Sequence, residues 1–520
     1  MNKFEEIKAE RDGLDVLPDI ERYAREGWEA ITDDDKARMK WYGLFFRKYT
    51  PGYFMLRIRI PNGIASAAQL RTIADVADEF GRGELDITTR QQVQVRWLRI
   101  EDVPAIFARL AAAGLDHRQT GMDNVRNVIG CPLAGRTTHE LLDASPVVRE
   151  YTTRFVGNKE FSNLPRKFNV AITGCMDNCL HLETQDIALG PALKHTDEGT
   201  LAGFNVRVGG KQGSGGFTAA RSLDAFVTRE QAAEVCAQIT LLFRDHGPRE
   251  SRSRARLAFL LDDWGVERFR AALEERLGYA LERAGRDAQT AHHSDHLGVA
   301  PQRERGTYSV GLAVPVGRLS AAQLRGAAAL SERYGGAEAR FTPGQNLILT
   351  DVVDSGLPGL LAEPLLRELR ADPSPAIRGT VSCTGVGLCD LALVDTKTHA
   401  LAVARRLERA LPMARPLAIN WSGCPASCGN HLLADIGLQG GKARVGDEVV
   451  EVYQVFAGGR SGVGARPATP VVDKVPAARV GDVVEQLARA HAAGHDLVAA
   501  GQELAAALGQ GDGAAAETAA

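Results

Sequence analysis

The chain is written twice. Ser66–Arg71 and Ser320–Arg325 both read SAAQLR, and two further pairs of segments follow at nearly the same offset. Arg126 and Cys131, in NVRNVIGC, precede Arg378 and Cys383, in AIRGTVSC, by 252 residues. GCMDNCLHLETQDIAL at 174–189 matches GCPASCGNHLLADIGL at 423–438 with a shift of 249. A repeat of this length calls for two copies of one supersecondary unit, related by a pseudo-two-fold. Around each SAAQLR the periodicity agrees. Phe54, Leu56, Ile58 and Ile60 alternate with Met55, Arg57 and Arg59, which predicts a strand. Leu70, Ile73, Ala74 and Ala77 predict a helix capped by Ser66 and ended by Gly81 and Gly83. Ile87 to Trp97 alternates as a second strand, and Asp102–Ala113 has a helical pattern with Pro104 in its first turn. Tyr308–Val316, Ser320–Tyr334, Ala339–Leu349 and Leu357–Leu369 repeat the order strand, helix, strand, helix.

Length and charge narrow the function classes. A chain of 520 residues exceeds one ordinary core and implies two or three domains. A net charge of −3 argues against general polyanion binding, so no nucleic-acid partner is expected. Apolar runs fall far short of the roughly 18 residues a membrane span needs. The charged start MNKFEEIKAERDG has no apolar stretch of the secretory kind. The expectation is a soluble cytoplasmic protein whose thiols stay reduced.

Eight cysteines stand at 131, 175, 179, 236, 383, 389, 424 and 428. In the second copy Cys383 and Cys389 enclose five residues, and Cys424 and Cys428 enclose three. Four thiolates can hold a zinc ion or an iron–sulfur cluster. The five-residue gap is long for a zinc knuckle, and Gly385, Gly387, Gly423 and Gly429 let amide groups approach sulfur, which favours the cluster. The first copy has three matching cysteines. Its fourth position, opposite Cys389, falls near Arg136 or Thr137. Cys175 and Cys179 read as buried remnants of duplication, with a second redox or metal site as the alternative. Cys131 reads as core, and Cys236 as part of a helix face. The histidines at 292, 293 and 296 read as a solvated linker.

Cations cluster in the first copy. Arg57 lies on the polar side of a strand, Arg126 sits in the repeated NVRN segment, and Arg166 and Lys167 are adjacent in LPRKFN. On their own, such residues are as compatible with solvated faces as with an anion site.

The setting of these residues resembles a known family. TVSCTGVGLC and NWSGCPASC, together with KWYGLFFRKYTPGYFMLRIRIPNG, LDITTRQQVQ, DNVRNVIGCPLAG and NLPRKFNVAITGC in this order, are similar to the sirohaem-dependent nitrite and sulfite reductases. The resemblance implies an α+β, internally duplicated fold with two ferredoxin-like half-domains and two cofactor-binding α/β domains. It implies that Cys383, Cys389, Cys424 and Cys428 bind a 4Fe–4S cluster, and that the Cys428 sulfur also ligates the sirohaem iron. It implies that Arg57, Arg126 and Lys167 bind the substrate anion and supply protons, with Lys167 the better proton donor because an ammonium pKa falls readily beside other cations. Arg90 and Arg166 would pair with sirohaem carboxylates. Asn169 stands where sulfite reductases of the family usually carry a second lysine, which points to nitrite reduced to ammonia in an assimilatory role. Sulfite reduction to sulfide is the alternative, and a tetrapyrrole-biosynthetic enzyme or a non-catalytic zinc or iron–sulfur protein is a more distant one.

The domain boundaries expected are a helical N-terminal extension at 1–45, a first half-domain at 46–118, a first sirohaem-binding domain at 119–298, a second half-domain at 299–372, a sirohaem and cluster domain at 373–508, and a disordered tail at 509–520. No strand–GxGxxG–helix fingerprint or Walker loop is present, and GGKQGSGG at 209–216 has the wrong spacing. Electrons must therefore come from another protein. The resemblance implies a reduced ferredoxin, or flavodoxin in its place, acting on a monomer.

Overall fold

The computed structural model describes residues 2–197, 199–213, 216–413, 416–445 and 447–509. Most of the expected tail lies outside the described residues. The chain divides into two compact units. One comprises Met1–Lys211, Thr218–Val314 and Arg318–Ala371; the other comprises Gln212–Phe217, Pro315–Gly317 and Asp372 onward.

In the first unit the duplicated pattern builds two five-stranded sheets that exchange a strand. The first runs Leu44–Phe46, Phe54–Ile58, Val93–Leu98, Glu84–Ile87 and then Arg318–Ser320 from the second copy. The second runs Gly298–Pro301, Thr307–Leu312, Leu347–Val353, Glu338–Phe341 and then Ile64–Ser66 from the first copy. The exchanged strands lead directly into the SAAQLR helices, Ala67–Phe80 and Ala321–Tyr334. Both begin with a reciprocal capping box: Ser66 with Gln69, and Ser320 with Gln323. The repeated motif is thus a helix-start signal used twice. The pseudo-two-fold extends to single hydrogen bonds: Gln91 Nε2 donates to the Phe341 carbonyl and Gln345 Nε2 to the Ile87 carbonyl, each at 2.9 Å.

Residues Ile87 to Trp97 do not form one strand. The chain reverses at Thr88–Gln92, giving a hairpin between Glu84–Ile87 and Val93–Leu98. Gln91 takes a left-handed φ of 55°, and the Thr88 hydroxyl accepts from the amides of Arg90 and Gln92. Ala339–Leu349 breaks in the same way at Gln345, with φ 65°. The first turn is hidden because Thr88–Gln92 contains neither glycine nor proline, whereas Pro343-Gly344 marks the second. The first of them carries Arg90 to a hairpin tip.

The N-terminal segment forms helices Lys3–Glu10, Leu17–Glu26 and Asp33–Arg38. It is built into the core: Val16, Ile20, Tyr23 and Trp41 are buried with the first sheet's apolar side chains. A third sheet, also in the first unit, places Val170–Ile172 parallel to Ile187–Thr196, which continues antiparallel through Gly199–Val208 to Arg221–Val227. The second unit repeats it: Thr380–Ser382, Ile419–Ser422 and Ile436–Val445 are parallel, followed by antiparallel Glu448–Ala457 and Thr469–Pro476. Among the described residues no helix is long and apolar enough to cross a membrane.

His117 is stacked on Phe107 at 3.8 Å, its Nδ1 is 2.7 Å from the Tyr42 carbonyl, and burial pushes its pKa from 6.5 down to about 4. Above pH 6.5 the ring is neutral whether the chain is folded or unfolded. Between pH 6.5 and 4 the unfolded chain takes up a proton that the folded chain refuses, so stability falls as pH falls through this window. The full effect is at most about 3 kcal/mol. His117→Gln is expected to flatten the decline of the thermal midpoint over this range; parallel profiles for variant and wild type would refute the assignment.

Candidate active site: a half-buried cation cluster and a four-thiol cradle

In the first unit, backbone pairing brings the expected cations into one neighbourhood. Strand Phe54–Ile58 holds Arg57 opposite Gln94, with the guanidinium 4.9 Å over the Phe45 ring. Arg57 donates to the Thr120 carbonyl at 2.8 Å, and the Arg126 guanidinium donates to the same oxygen. The two side chains therefore converge. The NVRN and PRKFN segments are laced together: the Arg126 amide donates to Phe168 at 2.8 Å and the Phe168 amide to Asn124 at 3.0 Å. This sets Arg126 alongside half-buried Arg166 and Lys167. Asn127 Nδ2 donates to the carbonyls of Ile60 and Arg90, at 2.7 and 2.9 Å, and so fixes the Arg90 hairpin tip to the same segment. The Arg90 guanidinium reaches Gln185 Oε1 at 3.3 Å. Arg59 has a different role. It is buried, and its guanidinium donates to the carbonyls of Arg118, Val125 and Arg126, holding the loop that presents Arg126.

The two buried acids nearest these cations are already engaged by other arginines. Buried Asp123 takes a bidentate pair from Arg252 at 2.8 Å and faces Lys8 at 3.4 Å, leaving Arg166 at 3.9 Å. Asp186 is occupied by Arg256 at 2.6 Å. Burial, then Arg57 and Arg90, push the Arg126 guanidinium well below its ordinary value. Burial, then Arg252, push Arg166 down to about 10. A guanidinium keeps its proton in practice, so these shifts express an electrostatic demand that a bound anion would help to meet. A tetrapyrrole with several carboxylates and a small oxyanion both fit that demand. Asn169 adds a neutral group. Its backbone N–H donates to Asp186 at 2.7 Å, and its side-chain Oδ1 is buried with no hydrogen-bond partner among the described residues. A buried amide with capacity left over is suited to a ligand.

In the second unit the ends of the parallel strands Thr380–Ser382 and Ile419–Ser422 carry Cys383 and the Cys424–Cys428 loop. The sulfurs lie in a cradle of backbone amides. Gly423 N–H donates to Cys383 Sγ at 3.1 Å, joined by Gly385; Leu391 and Ala392 donate to Cys389, and Ala426 to Cys424. Gly385 has a φ of 81°, which directs its amide toward the sulfur. Burial first, and then the charge of neighbouring thiols, raises Cys383 to about 11, Cys424 to about 12, and Cys389 as well. Cys428 contributes to all three shifts, so the four sulfurs form one electrostatic group. Such thiols become thiolates when a metal centre compensates them, and amide donors then tune its potential. The cradle fits an iron–sulfur cluster. Cys428 is the exposed member. Ser427 and Asn430 on either side of it take left-handed φ values of 56° and 60°, and the Ser427 hydroxyl is held 3.1 Å from His431 Nδ1.

Two family descriptions match the chain, each twice. The nitrite and sulphite reductase 4Fe-4S domain covers residues 121–281 and 374–498, and the nitrite/sulfite reductase ferredoxin-like half domain covers 47–113 and 300–366. The chain belongs to the nitrite and sulphite reductase family. It is 44% identical to a ferredoxin–nitrite reductase of Synechococcus elongatus over 94% of this chain and 96% of that one. It is 41% identical to an assimilatory ferredoxin-dependent nitrite reductase of Haloferax mediterranei, over 95% and 89%. The solved structure of the Mycobacterium tuberculosis NirA protein superposes with a TM-score of 0.89 at 34% identity, covering 95% of this chain and 94% of that one. The family's duplicated fold is the α+β architecture that the resemblance implied.

Two supporting residues carry no signal in the sequence: Thr120, where two guanidinium groups meet, and Asp123, which absorbs part of the charge through Arg252; Asp186, paired with Arg256, is the repeat's counterpart of Asp435. His296 corrects an expectation. It does not lie on a solvated linker; its Nε2 is 3.8 Å from Cys131 Sγ. Cys131, Cys175 and Cys179 are buried and in mutual side-chain contact. Cys236 lies buried on helix Arg229–His246, as its surroundings in sequence suggested.

Proposed function

We propose that this chain is a ferredoxin-dependent nitrite reductase that carries nitrite to ammonia with six electrons, acting as a single chain in the cytoplasm. The observation that carries this reading is the end-to-end likeness to proteins of that name, 96% of one relative's length at 44% identity. Cys383, Cys389, Cys424 and Cys428 would hold a 4Fe–4S cluster, with Cys428 also the thiolate ligand of sirohaem. Sirohaem and cluster together supply stored electrons and an iron at which an anion's donor atom can be reduced. The remaining work belongs to side chains. Arg57 and Arg126 would clamp the nitrite oxygens with charge-assisted hydrogen bonds. Lys167 would deliver protons from Nζ, because an ammonium among cations gives up its proton more readily than guanidinium. Arg90 and Arg166 would neutralise the tetrapyrrole carboxylates. The test is ammonia formation from nitrite with chemically reduced ferredoxin; absence of ammonia from a protein carrying iron and tetrapyrrole would refute the activity.

Asn169 favours nitrite over sulfite. A neutral amide suits a small monoanion, whereas an added ammonium would favour an oxyanion of higher charge. Asn169→Lys is expected to raise the sulfite-to-nitrite ratio of kcat/KM by about tenfold or more, equal to about 1.4 kcal/mol of differential binding. An unchanged ratio would remove Asn169 from the specificity argument.

A further inference from the structure

We propose that Cys131, Cys175, Cys179 and His296 form a tetrahedral zinc site in the first copy of the repeat. Ligand atoms of Cys131, Cys179 and His296 all lie within 4.8 Å of one another, and Cys175 is packed in the same buried cluster as the other two thiols. A zinc ion with thiolates at about 2.3 Å separates neighbouring ligands by about 3.8 Å, which the three close ligand atoms accommodate and which Cys175 would complete as the fourth. A cubane holds its four sulfurs further apart and would need a fourth thiol. The position opposite Cys389 lies near Arg136, which is paired with Asp351 at 2.8 Å.

The environment is built for a metal. Cys175 accepts the amide of Asp177, two residues on, as Cys424 accepts that of Ala426 in the second copy. The imidazole is oriented: Ser294 Oγ lies 3.2 Å from His296 Nδ1, which leaves Nε2 facing Cys131. An outer partner on the second ring nitrogen is how ligating histidines are held. The segment carrying His296 is zipped onto the cysteine loop by Thr290 N–H to Met176 at 2.7 Å and Asn178 N–H to His292 at 2.8 Å. Three soft sulfurs and one imidazole in tetrahedral reach select zinc over harder ions. The ion would tie the chain entering the second half-domain to the first cofactor-binding domain.

Full-length protein purified without chelators is expected to contain about one zinc per chain, with sulfur neighbours near 2.3 Å and nitrogen near 2.0–2.1 Å in its zinc K-edge spectrum. His296→Ala is expected to lower zinc several-fold while leaving acid-labile sulfide unchanged. The wild-type spectrum decides the matter if that variant fails to fold. Wild-type zinc below about 0.2 per chain, zinc without sulfur neighbours, iron in its place, or a disulfide among the three cysteines would each overturn the assignment.

Discussion

Cys428→Ala is expected to abolish nitrite reduction, with activity falling by about 10³-fold or more. The reason lies in the cradle. Cys428 is the one thiol that raises the pKa of each of the other three, and the one exposed member of the group. Removing it leaves three thiols that still need compensation and takes away one of the four that would hold the cluster. Changes to outer partners of a metal site already cost about 10–100-fold, and loss of a thiolate proposed to serve both cluster and sirohaem should exceed that. Iron, labile sulfide and the visible spectrum should all change along with ammonia output. Cys236→Ala provides the control, because that buried thiol belongs to neither cysteine group. Activity above a tenth of wild type in Cys428→Ala, with unaltered spectra, would break the link between this thiol and the chemistry.

The ease with which this arrangement is read from sequence differs by element. SAAQLR is legible because a capping box is local: Ser66 and Gln69 satisfy each other's backbone within one turn. The cysteine spacing is legible because ligands on one loop must sit a few residues apart. The hairpin turn at Thr88–Gln92 is hidden because a glutamine occupies its left-handed position and the alternation continues through it. The strand exchange is hidden for another reason. Each copy's pattern is satisfied by a strand from either copy, so only the assembled sheets reveal which is used. Thr120 and His296 act through a carbonyl and a long-range contact, and neither leaves a periodic trace.

Replacing Arg126 should move activity and stability in opposite directions. Its guanidinium is half-buried beside Arg57, Arg90 and Arg166, and it donates to the Thr120 carbonyl that Arg57 also uses. An arginine that served only the fold would be costly to keep there, since like charges crowd it and Asp123 answers them only in part. Retention makes sense if an anion completes the site. Arg126→Gln keeps a donor for Thr120 and removes the charge. The thermal midpoint of protein without substrate is therefore expected to rise by a few degrees. The kcat/KM for nitrite should fall by about 10²–10³-fold, the usual loss when one preorganised donor to a developing charge is removed. Arg126→Lys should recover part of the rate, because a point charge replaces a fork. A variant that loses stability and activity together, with no recovery from lysine, would mean that Arg126 serves the fold and that the anion is bound by other residues.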